Sequence, residues 1–307
     1  MLVMLPLAVC VAGCTRTADD PDGERGDAAR PTIGVSILTM ANPFFVEMKN
    51  AMEAKGEELG YDVVVVAAEF DAARQTNQID DFISSRVDAM ILCPANSSSI
   101  APAVQRANAA AIPVFTADIA VLADEVEVVS HVATDNFRGG QLVAETMAQA
   151  LGGGGTVAIV DHPEIESVIQ RTEGFKARLE ELRKSDDVQI EIVAQVPGGG
   201  DRAPALAAAE DLLQAHPNVD GIFAINDPSA LGVLTALENA GKSDDIVLIG
   251  FDGAPEAVEA VEAGQLYATI QQHPRQIGET VVQFVADYSL GKEVPEEHLI
   301  PPTVITE

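Results

Sequence analysis

Short apolar runs alternate with stretches of helical period along nearly the whole chain. Thr32 to Leu38 reads as a buried strand, bounded by Pro31. Beyond Asn42-Pro43-Phe44-Phe45, residues Val46, Met48, Ala51, Met52 and Leu59 recur at helical spacing. Strands are then expected at Tyr61 to Ala67, Ala89 to Cys93, Ile112 to Thr116 and Val126 to Val132. Helices are expected between them at Asp71 to Ser85 and Ile100 to Ala110. The pattern restarts with a helix opened by Gly139-Gly140 and running to Leu151. Strands follow at Thr156 to Val160, Ile190 to Val196, Gly221 to Ile225, Ile246 to Phe251 and Ala268 to Ile270. Helices separate them at Thr172 to Leu182, 203–215, Ala230 to Ala240 and Ala257 to Ala263, and a last long helix runs from about Gln276 to Leu290. Strand-then-helix alternation of this kind predicts parallel sheets covered by helices. Two sets of similar size, about 31–134 and 135–272, predict two doubly wound α/β lobes with a crevice between them.

Polar residues collect where the predicted strands end: Asn42, Asp118, Asp135, Asn226, Asp252 and Gln272. Asn and Asp are ordinary turn residues, and any one of these has that simple explanation. Six in one chain, with Phe44 and Phe45 at the first strand-to-helix turn, point to the crevice beyond the carboxyl ends of the strands, where open α/β sheets bind ligands. Aromatics make up only 4% of the 307 residues, which makes a Phe in a loop conspicuous.

Charge narrows the partners. With 48 acidic residues against 18 basic, the formal charge is −30. Nucleic acid and anionic membrane surfaces are therefore disfavoured. Met1 to Val11 is apolar but too short to span a bilayer, which fits the core of a signal peptide. Residues 15–30 are polar and without period, as expected of a flexible tether. The acidic cluster from Asp19 to Glu24 lacks the spacing of a calcium loop, and no metal or cofactor is expected. Of the three cysteines, Cys10 falls in the signal region and Cys14 at its end, so Cys93 has no partner for an internal disulfide.

Enzyme motifs are missing. There is no Gly-x-Ser-x-Gly, no His-Glu-x-x-His, and no Gly-x-Gly-x-x-Gly after the first strand; the Gly152–Gly155 run is not followed by Gly-Lys-Ser/Thr. The five histidines are scattered. His131 reads as structural, whereas His162 and His273 lie near predicted strand ends, within reach of the crevice.

From Pro31 to about Gly291 the chain resembles the periplasmic sugar-binding proteins of the ribose-binding type, soluble receptors of bacterial ABC importers. The resemblance is carried by Asn42-Pro43-Phe44-Phe45, Leu59-Gly60-Tyr61, Ile112-Pro113-Val114, Val129-Ser130-His131, Asp135-Asn136, Gly174-Phe175, Asn226-Asp227, Ala230-Leu231-Gly232, Gly250-Phe251-Asp252-Gly253 and Gln276-Ile277-Gly278, in that order. It implies a type I periplasmic binding protein fold, with residues 31–134 and 273–300 in an N-terminal lobe and 135–272 and 301–307 in a C-terminal lobe, joined by a multi-strand hinge. It also implies a site built from Asn42, Phe44, Phe45 and Asp118 on the first lobe, and from Arg171, Asn226, Phe251, Asp252 and Gln272 on the second lobe and hinge. Small residues before Cys14 resemble a lipoprotein processing site. That implies residues 1–14 as signal, Cys14 as the lipidated residue, and a membrane-anchored protein of the cell envelope.

Three positions depart from the ribose-type pocket. Ile119 stands where an Arg is usual, Gly200 about where a second-lobe Phe would stack, and Cys93 where Asn precedes Pro. The expected ligand is thus a pentose, hexose or related polyol, the expected partner an ABC permease, and the expected state a monomer. A chemoreceptor or sensor kinase is the alternative reader of the closed form. A sugar-responsive regulator of the lac-repressor type would need a DNA-binding segment that residues 1–30 do not resemble.

Overall fold

The structure is a computed structural model describing residues 30–185 and 188–307. The expected signal region, Cys14 and the tether up to residue 29 lie outside the described residues.

The first sheet contains β1 (Thr32–Ile37), β2 (Asp62–Ala67), β3 (Ala89–Leu92), β4 (Val114–Ala117), β5 (His131–Thr134) and β11 (Glu297–Ile300), in the order β11-β5-β4-β3-β1-β2. All its pairs are parallel. The second contains β6 (Gly154–Asp161), β7 (Gln189–Pro197), β8 (Gly221–Ala224), β9 (Val247–Asp252), β10 (Ala268–Gln271) and β12 (Thr303–Ile305), in the order β12-β10-β9-β8-β6-β7, with only β12 antiparallel. Leaving out the edge strands β11 and β12, the two sheets share one strand order. Corresponding strands are β1 and β6, β3 and β8, β4 and β9. The direction of winding reverses after β1 in one sheet and after β6 in the other, and these are the positions where such sheets bind ligands.

Helices α1 (Pro43–Leu59), α2 (Ala72–Ser85), α3 (Ala101–Ala109) and α9 (Pro274–Ser289) pack with the first sheet; α4 (Asn136–Ala150), α5 (Glu166–Ser185), α6 (Arg202–Ala215), α7 (Asp227–Ala240) and α8 (Pro255–Glu262) pack with the second. The chain passes between the sheets after β5, after β10 and after β11. The cores are mostly aliphatic, with Phe115, Phe175, Phe223 and Phe251 fully buried among them, and the strand centres are buried on both faces, as covered parallel sheets require: β3, β4 and β8 have no exposed residue.

Several boundaries differ from the sequence reading, three of them for an identifiable reason. The strand expected from Val126 begins at His131, because the backbone of Glu127 is held by the Asn108 side chain (2.9 and 3.0 Å) instead of a ladder. Helix α4 starts at Asn136, capped by the Asp135 carboxylate, which accepts from the Arg138 N–H at 2.9 Å. Helix α5 starts at Glu166, whose N–H is satisfied by the distant Ser97 hydroxyl (2.9 Å), a tertiary cap that no local pattern reveals. Strands β11 and β12 were not expected. They are short and half exposed, and they exist by pairing with β5 and β10.

Candidate functional site

The rims of the two sheets face one another around a cavity of about 40 Å3. Asn42, Phe44, Phe45, Asp118, Ile119, Arg171, Asn226, Asp252 and Gln272 all line it. Each arrives there for a local reason. Asn42 caps α1, its side-chain oxygen accepting the Phe44 N–H at 2.9 Å, with Pro43 at the first helical position. Its amide nitrogen is left free to donate across the crevice to Asp252 Oδ2 at 3.0 Å. The cap thus sets the amide, and Phe44 and Phe45 follow edge to face, ring centroids 5.1 Å apart. Asn226 does the same for α7, accepting the Ser229 N–H at 2.9 Å and donating to the Gly200 carbonyl at 2.8 Å.

Asp118 and Asp252 end corresponding strands. Both have positive φ, +65° and +132°, which a non-glycine residue adopts only under constraint. At Asp118 the Ile119 N–H turns back to the Ala117 carbonyl at 2.7 Å, a three-residue turn that pushes the carboxylate off the strand and into the cavity. Asp118 is buried, and its Oδ1 has no hydrogen-bond partner among the described residues. Burial raises its pKa to about 7, against an opposing pull from Arg171 and a further push from Asp252. Asp252 is equally buried but served: Asn42 and Gln272 donate to it at 3.0 and 2.7 Å, and Arg171 Nη1 lies at 3.8 Å. Burial still raises its pKa, with Arg171 the main opposing influence. Gln272 is itself set by the Thr134 hydroxyl at 2.6 Å, so two of the crossings between sheets meet beside the site.

Arg171 comes from within α5. It donates to Asn136 Oδ1 and to the Ile225 carbonyl, both at 2.8 Å. Helix α5 reaches this position because α4 carries Gly140, where a Cβ would fall 1.9 Å from the Arg171 carbonyl oxygen. The guanidinium lies 3.9 Å over the Phe251 ring. Phe251 is fully buried and does not line the cavity; it sits behind Arg171 as its support. Cys93 does not line it either. Its backbone bonds to Ser36 and Gln75, and burial followed by the Asp118 charge pushes its thiol pKa well up, which keeps it protonated.

Among the histidines, His162 lines the cavity. His273 lies just before α9 on a neighbouring groove of about 900 Å3 that shares Phe44, Asp252 and Gln272 with the site but none of Asp118, Arg171 or Asn226. His131 faces Thr116 Oγ1 at 2.8 Å, and burial lowers its pKa to about 4, as befits a structural imidazole. Besides Leu38, Thr39 and Ile225 at the strand ends, the sequence reading missed Phe70, Ile165, Ser167 and Val168 on the lining. Phe70 had a signal, an aromatic in a turn after a strand; the other three are placed by the early start of α5. Among the described residues no cluster of His, Cys, Asp and Glu is suited to a metal, and no helix is long and apolar enough to cross a membrane.

Comparison with known proteins bears on the family and agrees with the sequence resemblance. The family profile described as periplasmic binding protein domain matches residues 33–293. The ribose import binding protein RbsB of Bacillus subtilis (strain 168) is 35% identical over 283 residues, 92% of this chain and 89% of that protein. The D-allose-binding periplasmic protein of Escherichia coli (strain K12) is 32% identical, covering 91% and 93%. Among solved structures, an ABC transporter solute binding protein from Bacillus halodurans C-125 with bound myo-inositol superposes with a TM-score of 0.81 at 32% identity, covering 92% of this chain and 96% of that one. The chain therefore belongs to the periplasmic binding protein family, and within it to the ribose-binding type.

Proposed function

We propose that this protein is the solute-binding receptor of a bacterial ABC importer and takes a monosaccharide or cyclic polyol between its two lobes. The observation that carries the reading is the ring of buried polar side chains from both sheets (Asn42, Asp118, Arg171, Asn226, Asp252 and Gln272) around one cavity flanked by Phe44 and Phe45. A sugar presents apolar C–H faces and an equator of hydroxyls. Aromatic rings cover the faces, while carboxylates, amides and guanidinium bind adjacent hydroxyls in pairs. Hydrogen bonds to the charged members are about twice as strong as neutral ones. The unpartnered Asp118 Oδ1 is an acceptor that a ligand hydroxyl would satisfy.

Residues 31–134 with 273–300 and residues 135–272 with 301–307 act as the two lobes, moving about the three crossings near 134, 272 and 300. The cavity of about 40 Å3 leaves little open space between the rims. Admission of the ligand therefore requires the lobes to part, and re-closure desolvates the ligand between them. The closed form is what an ABC permease reads. The protein works as a monomer, without a cofactor and without catalysis, in the periplasm or on the outer face of the membrane, held there by lipid on Cys14. Relatives that import ribose or bind allose or myo-inositol support the ligand class. Ile119 and Gly200, an apolar side chain and a bare backbone on the lining, favour a ligand other than ribose.

Thermal melting of the purified protein against pentoses, hexoses and polyols tests the reading. A cognate ligand at a hundred times its Kd stabilises by about 2.7 kcal/mol, a clear rise in Tm. No rise with any member, on protein first unfolded and refolded free of carried-over ligand, would sink it. Cys14→Ser should release the protein from membranes; retention there removes the lipid anchor.

A further inference from the structure

The second switch point of the fold, the turn after β6, places His162 on the cavity. Its ring faces Phe70 from the opposite lobe, centroids 6.2 Å apart and planes tilted by 41°. Both rings are held by structure that packing alone does not demand. Phe70 and Glu69 are consecutive non-glycine residues at positive φ, +61° and +53°. That costly turn is secured by the Glu69 carboxylate, which accepts from Thr39 Oγ1 at 2.7 Å, and by the Phe70 N–H on the Leu38 carbonyl at 3.2 Å. On the other side, the His162 N–H donates to Asp161 Oδ1 at 2.8 Å, and that carboxylate is braced by Thr172 and Gln195. The ring then lies against Gly200. At φ +70° this glycine suits its turn, and a Cβ there would sit 2.8 Å from His162 Nδ1. Any side chain at 200 would evict the imidazole or be evicted by it.

We propose that His162 is a specificity-determining residue of the ligand site, with Phe70 as its opposing ring, so that the pair selects which hydroxyl pattern the lobes can close upon. The inference rests on the sugar reading above. Burial lowers the imidazole pKa, against an opposing pull from Glu164 and Asp161, and so favours the uncharged ring. A neutral imidazole offers one donor nitrogen, one acceptor nitrogen and an apolar face, and it therefore discriminates a hydroxyl from a hydrogen at the position it meets. The segment that follows is also the seam between the lobes. The Ser97 N–H donates to the Glu164 carbonyl at 3.0 Å, and the Glu166 N–H donates to Ser97 Oγ at 2.9 Å. When the lobes part, the ring pair and this seam separate together, so a ligand that holds His162 in place favours the closed form and one that displaces it opposes closure.

Calorimetric titration of the parent protein, His162→Ala, His162→Phe, Phe70→Ala and Asp252→Ala with D-ribose, D-allose and myo-inositol tests this, with unliganded melting as the control for folding. Asp252→Ala should lose binding to all three. His162→Ala should bind the best of the three at least tenfold more weakly and change the affinity ratio between probes at least fivefold. His162→Phe, which keeps the ring and loses both nitrogens, should recover affinity for some probes and reorder the three, and Phe70→Ala should reduce affinity with a smaller change in ratio. A His162→Ala protein with parental affinities, or with a uniform loss and unchanged ratios, overturns the inference while Asp252→Ala keeps the site reading intact. Where another pentose, hexose or polyol raises the parent Tm more, it takes the place of the weakest probe; a parent that answers none of them strikes the sugar reading itself, and this inference with it.

Discussion

The rim of the first sheet and the rim of the second solve one problem in opposite ways. Each ends its fourth strand in an aspartate with positive φ, aimed off the sheet into the crevice. On the second sheet Asp252 meets Asn42, Gln272 and Arg171 and has partners on both oxygens. On the first sheet Asp118 is followed by Ile119 and has an oxygen with no partner among the described residues. The two carboxylates are equally buried, so burial does not distinguish them; the supply of donors does. Asp252 has its donors within the protein, whereas Asp118 has an oxygen that no donor among the described residues meets. Under the proposed function a ligand hydroxyl would complete it, which would tie the closing of the lobes to the ligand's own chemistry.

Breaking the served side should have the largest effect. Asp252→Ala strands two amides and the Arg171 charge, and removing one partner of a buried pair costs about 3–5 kcal/mol. Affinity for the cognate sugar should fall by about two to three orders of magnitude, with the fold retained by circular dichroism. Near-parental affinity would take Asp252 out of the site. Arg171→Ala comes next. It removes the donor to Asn136 and the Ile225 carbonyl along with the charge facing both aspartates, and a loss of about ten- to a hundredfold is expected by calorimetry. An unchanged titration would show that the guanidinium serves only the packing of α5.

Asp118→Asn sharpens the comparison through pH. In the folded protein the carboxyl titrates near 7, against 3.8 when unperturbed. Folding thus favours the protonated acid. Its stabilising contribution is complete below about pH 4 and is lost as the pH rises to 7. The uncharged amide escapes that loss. Unliganded Asp118→Asn should melt a few degrees above the parent at pH 8, with the difference closing towards pH 4, while it binds sugar more weakly than the parent. Parallel melting curves at all pH values would remove the buried proton. The smallest effect is expected from Phe251→Leu, which lies behind Arg171 and off the cavity. Affinity should fall less than tenfold, and a loss as large as that of Arg171→Ala would mean that the ring touches the ligand.

Much of this was legible before any coordinates. Alternating buried strands and amphipathic helices specify two parallel sheets, because period and burial are local properties that each stretch carries by itself. The strand-end residues Asn42, Asn226 and Asp252 were legible for a related reason: capping and turn chemistry are also local, and both put polar side chains at the rim. Only the packed molecule decided the rest. Phe251 stands beside Asp252 in sequence, yet strand alternation turns it to the other face, behind Arg171. Helix α5 begins where Ser97, 69 residues away, caps it, and that early start brings Ile165, Ser167 and Val168 to the cavity. His162 meets Phe70 and Gly200 through contacts between segments far apart in the chain. Period, charge and turn chemistry are set by neighbours in the chain; donor supply, desolvation and the matching of rings across a crevice are set by neighbours in space.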